Sequence, residues 1–331
     1  MREARRLAGA RAGRIGYWGG SEGGWVAPIA ATRATVDFVI VGFGLAVSVI
    51  DEDQEEVALE MRLKGHSPEE IAKAQEVAAA AEAVFESGFT KGFKRFDAVR
   101  AKYRNESWYK DVHGNYTYFI LPYSSEAELR EKAKAFNFAE MGTPFRYDPM
   151  PTLRAVKAPQ LWILGEDDLE APCAPTASRI KALGAQGRPI TLAIFPHTEH
   201  GIYEFETKPD GERDDTRNAD GYFTMLRDFA RDGRLKGPYG ASIVTSPQTP
   251  ERRKVSNVRS SLFRNIGFKT DQRLCLDVHK SRFAVGHRYE KRDHLHSNVS
   301  SDSGYFTTRE ADVIHRKLRK NHRRDVSAVW H

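Results

Sequence analysis

The chain has 331 residues, 40% of them hydrophobic, with a mean hydropathy of -0.57, so it is long enough to bury one large core or two smaller ones. Its two cysteines, Cys173 and Cys275, exclude a disulfide framework and a cysteine-rich metal cluster, and nothing about them calls for an oxidising compartment. The formal charge of +6 hides two compositions: from Glu251 onward 19 Lys+Arg face 9 Asp+Glu, whereas the residues before it carry 32 against 36. The change falls near Pro247-Gln248-Thr249-Pro250, which reads as a boundary.

The start, Met1 to Leu7, has the positive charge of a signal peptide but no apolar stretch behind it, so a cytoplasmic location is expected of the chain as written. It is instead read as the end of a helix leading into a first strand over residues 14–18. Next comes Gly19-Gly20-Ser21-Glu22-Gly23, a Gly-x-Ser-x-Gly sequence, and then a helix-like run from Trp25 to Ala31. A serine between a strand and a helix, with small residues two before and two after, suits a strained turn that holds a hydroxyl clear of the backbone.

Further strands are expected at 36–43, 160–164 and 190–195. Each is a continuous apolar run rather than a strict alternation, which points to a parallel sheet covered on both faces. The run from Val36 to Ile50 is too short to span a bilayer. Between the second and third strands lies a long insert, about 51–147. Ser67-Pro68-Glu69-Glu70 predicts a capped helix running through Phe85, and Ser124-Ser125-Glu126 opens a second over 128–136. Phe89, Phe93, Phe96, Tyr103, Trp108 and Tyr109 lie between them. These aromatics either pack the insert against the sheet or line an apolar pocket beneath a helical cap.

A serine hydroxyl becomes a nucleophile when a base takes its proton and an acid orients that base. After the strand at 160–164 comes Gly165-Glu166-Asp167-Asp168-Leu169-Glu170-Ala171-Pro172. After the strand at 190–195 comes Pro196-His197-Thr198-Glu199-His200-Gly201. Asp167 competes with Asp168, and His197 with His200; Glu166 and Glu170 are read as solvated. His197, Glu199 and His200 do not have His-Glu-x-x-His spacing and lack an evident third ligand, so no metal and no cofactor are expected. The acidic stretch 210–215 lacks EF-hand spacing and reads as a surface loop.

In these three segments, over roughly residues 10–235, the sequence resembles the α/β-hydrolase superfamily, in particular its dienelactone-hydrolase, esterase and prolyl-oligopeptidase-like group. The resemblance implies a mostly parallel α/β sheet with flanking helices and a helical cap, within a domain spanning 1–250. It implies Ser21 as nucleophile, Asp168 as acid and His200 as base, with Gly19 and Gly23 as elbow glycines and the backbone N–H of Glu22 as an oxyanion donor. The Gly and Ala-Pro spacing selects Asp168, and the following glycine selects His200. Expected substrates are carboxylic esters or thioesters; a serine peptidase and an inactive remnant are the alternatives.

Members of that superfamily carry several strands ahead of the nucleophile strand, and here some fourteen residues precede it. The expectation is therefore of an N-terminally truncated hydrolase whose exposed sheet edge is covered by another chain in an oligomer. No membrane partner is expected. The segment 251–331 matches nothing in the hydrolase pattern and reads as a disordered or non-homologous basic tail; Arg316 to Lys320 with Arg323 and Arg324 would be its phosphate-binding patch, but it lacks a nucleic-acid-binding motif.

Overall fold

A computed structural model describes residues 1–11, 13–123, 125–134, 144–209 and 211–247. The basic segment 251–331, with Cys275 and the expected phosphate-binding patch, lies outside the described residues, as do Ser124 and residues 135–136 of the expected second capped helix.

Helix α1 (Arg2–Ala8) precedes β1 (Tyr17–Gly20), which starts three residues later than the apolar run suggests. Then follow α2 (Gly23–Arg33) and β2 (Val39–Gly42). The insert contributes α3 (Val49–Leu63), α4 (Pro68–Glu86), α5 (Phe93–Tyr103), α6 (Asn115–Ile120) and α7 (Glu126–Ala133). After α8 (Met150–Ala155) come β3 (Gln160–Gly165), α9 (Cys173–Ala185) and β4 (Ile190–Phe195). The described chain closes with β5 (Thr198–Glu199), β6 (Tyr203–Thr207), β7 (Arg213–Asn218), α10 (Tyr222–Asp232) and β8 (Ile243–Thr245).

Strands β1, β2, β3 and β4 lie side by side in that order, all parallel, and β8 adds antiparallel to β4. Every residue of β2, β3 and β4 is buried, which is why their sequences are apolar apart from Gln160 and Thr191. The period of two still decides which face each side chain covers. Val39, Val41, Trp162, Leu164 and Leu192 pack on α9 through Ala177 and Ile180. Ile40, Leu161, Ile163, Ala193 and Phe195 pack on α10 through Met225 and Phe229. The sheet thus sits between two helical layers, with the carboxyl ends of β1, β3 and β4 opening to one side.

The insert starts in regular helix at Val49, two residues before the sequence boundary at 51. Capping boxes open two of its helices: Ser48 with Asp51, and Ser67 with Glu70 behind Pro68. Its aromatics do not chiefly pack on the sheet. Phe85, Phe89, Phe93, Phe96 and Trp108 form a core of the insert's own with Val77 and Ala81, as in the edge-to-face pair Phe85–Phe89 at 5.5 Å. A smaller cluster of Trp25, Leu45, Val47, Val49 and Ala171, with Tyr116 and Phe145 against it, joins insert to sheet.

Two expectations need correction. The stretch expected as a surface loop at 210–215 is, from Arg213 on, strand β7, paired antiparallel with β6 in a second sheet that β5 completes. Its run of exposed charged side chains hides the strand, which is held by the backbone ladder to β6 and by polar side-chain contacts of Arg213, Thr216, Arg217 and Asn218 rather than by apolar packing. The antiparallel edge strand β8 was not foreseen either; Ile243 and Val244 in it are exposed.

Candidate active site

Ser21 stands between the last residue of β1 and the start of α2 with φ 53, a left-handed conformation that an L-residue enters only when its surroundings hold it there. Two backbone hydrogen bonds do so: Ser21 N–H donates to Gly42 O (3.0 Å), and Gly24 N–H donates to Ser21 O (2.8 Å). The glycines around it divide by role. A Cβ on Gly19 would lie 2.6 Å from Gly23 O, one on Gly20 2.5 Å from the Phe43 ring, and one on Gly24 2.9 Å from Leu45 N. A Cβ on Gly23 would meet no described atom within 4 Å. Gly19 is therefore small because the turn folds back over it, while Gly23 serves as the backbone it folds onto.

Glu22 occupies the N-cap position of α2, and its carbonyl accepts from Trp25 N–H and Val26 N–H. Its own N–H has no hydrogen-bond acceptor among the described residues. At a helix N-terminus beside the serine, that N–H suits a developing oxyanion.

The acid and histidine segments lie at the ends of adjacent strands and are drawn tightly together. Glu166 N–H donates to Phe195 O (3.0 Å), and Asp167 N–H to Thr198 O (3.1 Å). Gly165 is the point of closest approach, where a Cβ would sit 2.7 Å from Thr198 O. This packing separates the two candidate pairs that the sequence leaves side by side. His197 and Asp167 meet at 3.7 Å, with the histidine side chain 74% exposed. His200 and Asp168 meet at 3.0 Å between Nδ1 and Oδ2, with the carboxylate only 2% exposed. The other oxygen of Asp168 accepts from Glu170 N–H (3.0 Å) and Ala171 N–H (2.8 Å), so the carboxylate is fixed at both ends. Gly201 follows His200 with φ +82, which explains the glycine after the histidine.

Burial by itself would lower the pKa of His200, but the hydrogen bond to Asp168 and the charges of Asp168, Glu170 and Glu199 outweigh it, and the net shift is upward. Glu170, read as solvated, has its Oε1 3.9 Å from His200 Nε2. Among the described residues Ser21 makes no hydrogen bond to His200. Phe43, itself at φ 41, stacks edge-on against the His200 ring at 4.9 Å, and its ring tip closes on Gly20, where a Cβ would come within 2.5 Å of it. The structure thus joins Asp168 to His200 directly, and an aromatic ring links His200 to the glycine before Ser21. Neither Phe43 nor the Glu199–Arg213 ion pair stood out in the sequence. Phe43 ends an apolar run like any core residue, and Arg213 lies among surface charges.

Among the described residues no group of three or more His, Cys, Asp and Glu could hold a metal ion, and no helix is long and apolar enough to cross a membrane. The mostly parallel sheet with flanking helices, with Ser21 after β1, Asp168 after β3 and His200 after β4, is arranged as in the α/β-hydrolase fold.

No family model matches the chain, and no curated protein matches it. Similar solved structures include an acylaminoacyl peptidase of Pyrococcus horikoshii, at 18% identity and a TM-score of 0.28 over 60% of this chain and 22% of the peptidase. VinJ is similar at 18% identity and a TM-score of 0.29, over 60% of this chain and 64% of VinJ. An esterase from Thermogutta terrifontis is similar at 20% identity and a TM-score of 0.26, over 60% of this chain and 63% of the esterase. The chain therefore spans less than two thirds of each of these proteins.

Proposed function

From a chain with the α/β-hydrolase fold, we propose a serine hydrolase that cleaves carboxylic esters or thioesters through an acyl-enzyme. The observation that carries this reading is the buried Asp168–His200 pair, which follows β3 and β4 at the same end of the sheet as the strained Ser21 turn.

In the proposed reaction the Ser21 hydroxyl adds to the ester carbonyl carbon and its proton passes to His200 Nε2, the nitrogen that Asp168 leaves free. Asp168 holds the ring in the tautomer with Nε2 unprotonated and then stabilises the imidazolium. The carbonyl oxygen, now negative, faces the Glu22 N–H. Collapse of the tetrahedral adduct expels the alkoxide or thiolate, which takes the proton from His200. Water repeats the sequence on the acyl-enzyme, with His200 taking its proton, and Ser21 is released with a carboxylate product. Attack requires the serine and histidine to come within hydrogen-bond reach, as such bonds often tighten only when substrate is bound.

The test is labelling by a fluorophosphonate, which reports an activated serine. Wild-type chain is expected to react and Ser21→Ala to be inert, with acyl nitrophenyl esters turned over by the former alone. Turnover of aminoacyl-proline amides in place of esters would replace the esterase reading by a peptidase. Absence of labelling in folded wild-type chain would refute the hydrolase.

A further inference from the structure

Glu199 and Arg213 lie on β5 and β7 of the small second sheet, both side chains largely buried, at 12% and 15% exposed. They form an ion pair through Glu199 Oε1 and Arg213 Nη1. What distinguishes the pair is where its remaining bonds go. Arg213 Nη1 also donates to Asp167 O (2.7 Å), and Glu199 Oε2 accepts from Leu169 N–H (3.0 Å). Those are the residues immediately before and after Asp168. Glu199 is itself the residue before His200. The Arg213 guanidinium is held over the Phe205 ring, 4.1 Å from its centroid, so the nitrogen that bonds both Glu199 and Asp167 O is braced from behind.

We propose that Glu199 and Arg213 are positioning residues, a clamp that grips the backbone on either side of Asp168 and sets its carboxylate against His200. The inference rests on reading Asp168 and His200 as acid and base. Buried ion pairs contribute little net stability compared with apolar replacements of the same size, so a purely structural pair at this place would be weakly justified. A pair that spans the acid segment and the histidine segment instead fixes their relative geometry. That geometry matters, because a displacement of about 1 Å in a catalytic group can lower a rate about a hundredfold.

The experiment reads the Asp168–His200 contact without substrate, so it stands whether or not the chain hydrolyses esters. The His200 ring is titrated by NMR of 13Cε1-labelled histidine in the full chain, its resonance assigned by its absence in His200→Gln. In wild type the midpoint is expected above 6.5. Arg213→Met removes a cation, and by charge alone this would raise the midpoint of a nearby histidine. The clamp predicts the opposite: released from its brace, Asp168 moves off Nδ1, burial prevails, and the midpoint falls. Asp168→Asn is expected to lower it in the same direction, and the double variant no further than Asp168→Asn. Arg213→Lys keeps a cation beside Glu199 but loses the planar group stacked on Phe205 that aims Nη1 at Asp167 O, and should fall between; it serves also if Arg213→Met lowers the folded fraction. On any ester the wild type turns over, Arg213→Met should lower kcat about tenfold to a hundredfold with KM nearly unchanged. A midpoint that stays or rises in Arg213→Met and Arg213→Lys, with only thermal stability reduced, would overturn the clamp. Wild-type inactivity with a lowered midpoint would instead uphold the clamp and refute the esterase.

Discussion

Two glycines of one five-residue motif should respond in opposite ways to the same substitution. In Gly19→Ala the new methyl would stand 2.6 Å from Gly23 O and 2.8 Å from both Gly23 C and Cα, which falls about 0.6–0.8 Å short of the 3.4 Å where ordinary contact begins. The obstacle is backbone, so no rotamer change relieves it; the turn itself must open. Overpacking of this kind costs about 1–3 kcal/mol. Because Ser21 lies between the two glycines and is held by bonds to Gly42 O and Gly24 N–H, opening the turn displaces the hydroxyl by a similar distance. A loss on the order of 100-fold in the rate of fluorophosphonate labelling follows. Gly23→Ala places its methyl in open space at the first position of α2, and alanine is the better helix former there. It should stay within about 1 kcal/mol of wild type and label at nearly the wild-type rate. Urea denaturation and labelling kinetics on the two variants decide the matter. Equal damage from both, or none from Gly19→Ala, would refute this account of the elbow.

Three further outcomes are expected. Since the His200 pKa is raised and the base must be neutral, the rising limb of kcat/KM against pH should have its midpoint above 6.5; Asp168→Asn should move it to lower pH while reducing the rate by on the order of 10³–10⁴. Burial, together with the charge of Asp53, pushes the carboxyls of Glu56 and Glu82 up to about 9. Their folded pKa lies above the unfolded one, so the native state binds the extra protons, and the stability these two groups contribute is full below 4.5 and declines as pH rises toward 9. Glu82→Gln should flatten that decline in urea denaturation series; an unchanged slope would contradict the burial argument. Trp25→Phe removes the donor to the buried Val47 O (2.9 Å) and should cost about 1–3 kcal/mol of unfolding free energy, whereas equal stability would mean that the bond is replaced.

Strands β2, β3 and β4 were legible because they are buried on both faces, and burial on both faces writes itself as largely apolar sequence. The elbow was legible for a related reason: only glycines tolerate the close approaches at positions 19, 20 and 24. Position 23 shows the limit, since its glycine meets nothing and the motif alone does not reveal that. Strands β6 and β7 escaped because they lack a buried apolar run: much of their surface faces solvent, and β7 is mostly charged, so a backbone ladder and polar side-chain contacts hold them. The clamp escaped with them. Arg213 lies 45 residues beyond Asp168 in the sequence, and its link to Asp167 O exists only once β7 has folded. Likewise, sequence order sets Ser21, Asp168 and His200 along the chain but does not show that Phe43 stacks on His200 beside Gly20.

The helical insert keeps its largest aromatics to itself and meets α2 and the segment after β3 through a small cluster around Trp25, Val49 and Ala171. A chain with this architecture can change α4 and α5 without touching the strand ends that carry Ser21, Asp168 and His200. In protein engineering terms the insert is a cassette: grafting another helical segment between β2 and β3, with Trp25, Val47, Val49 and Tyr116 retained, would leave the segments after β1, β3 and β4 intact.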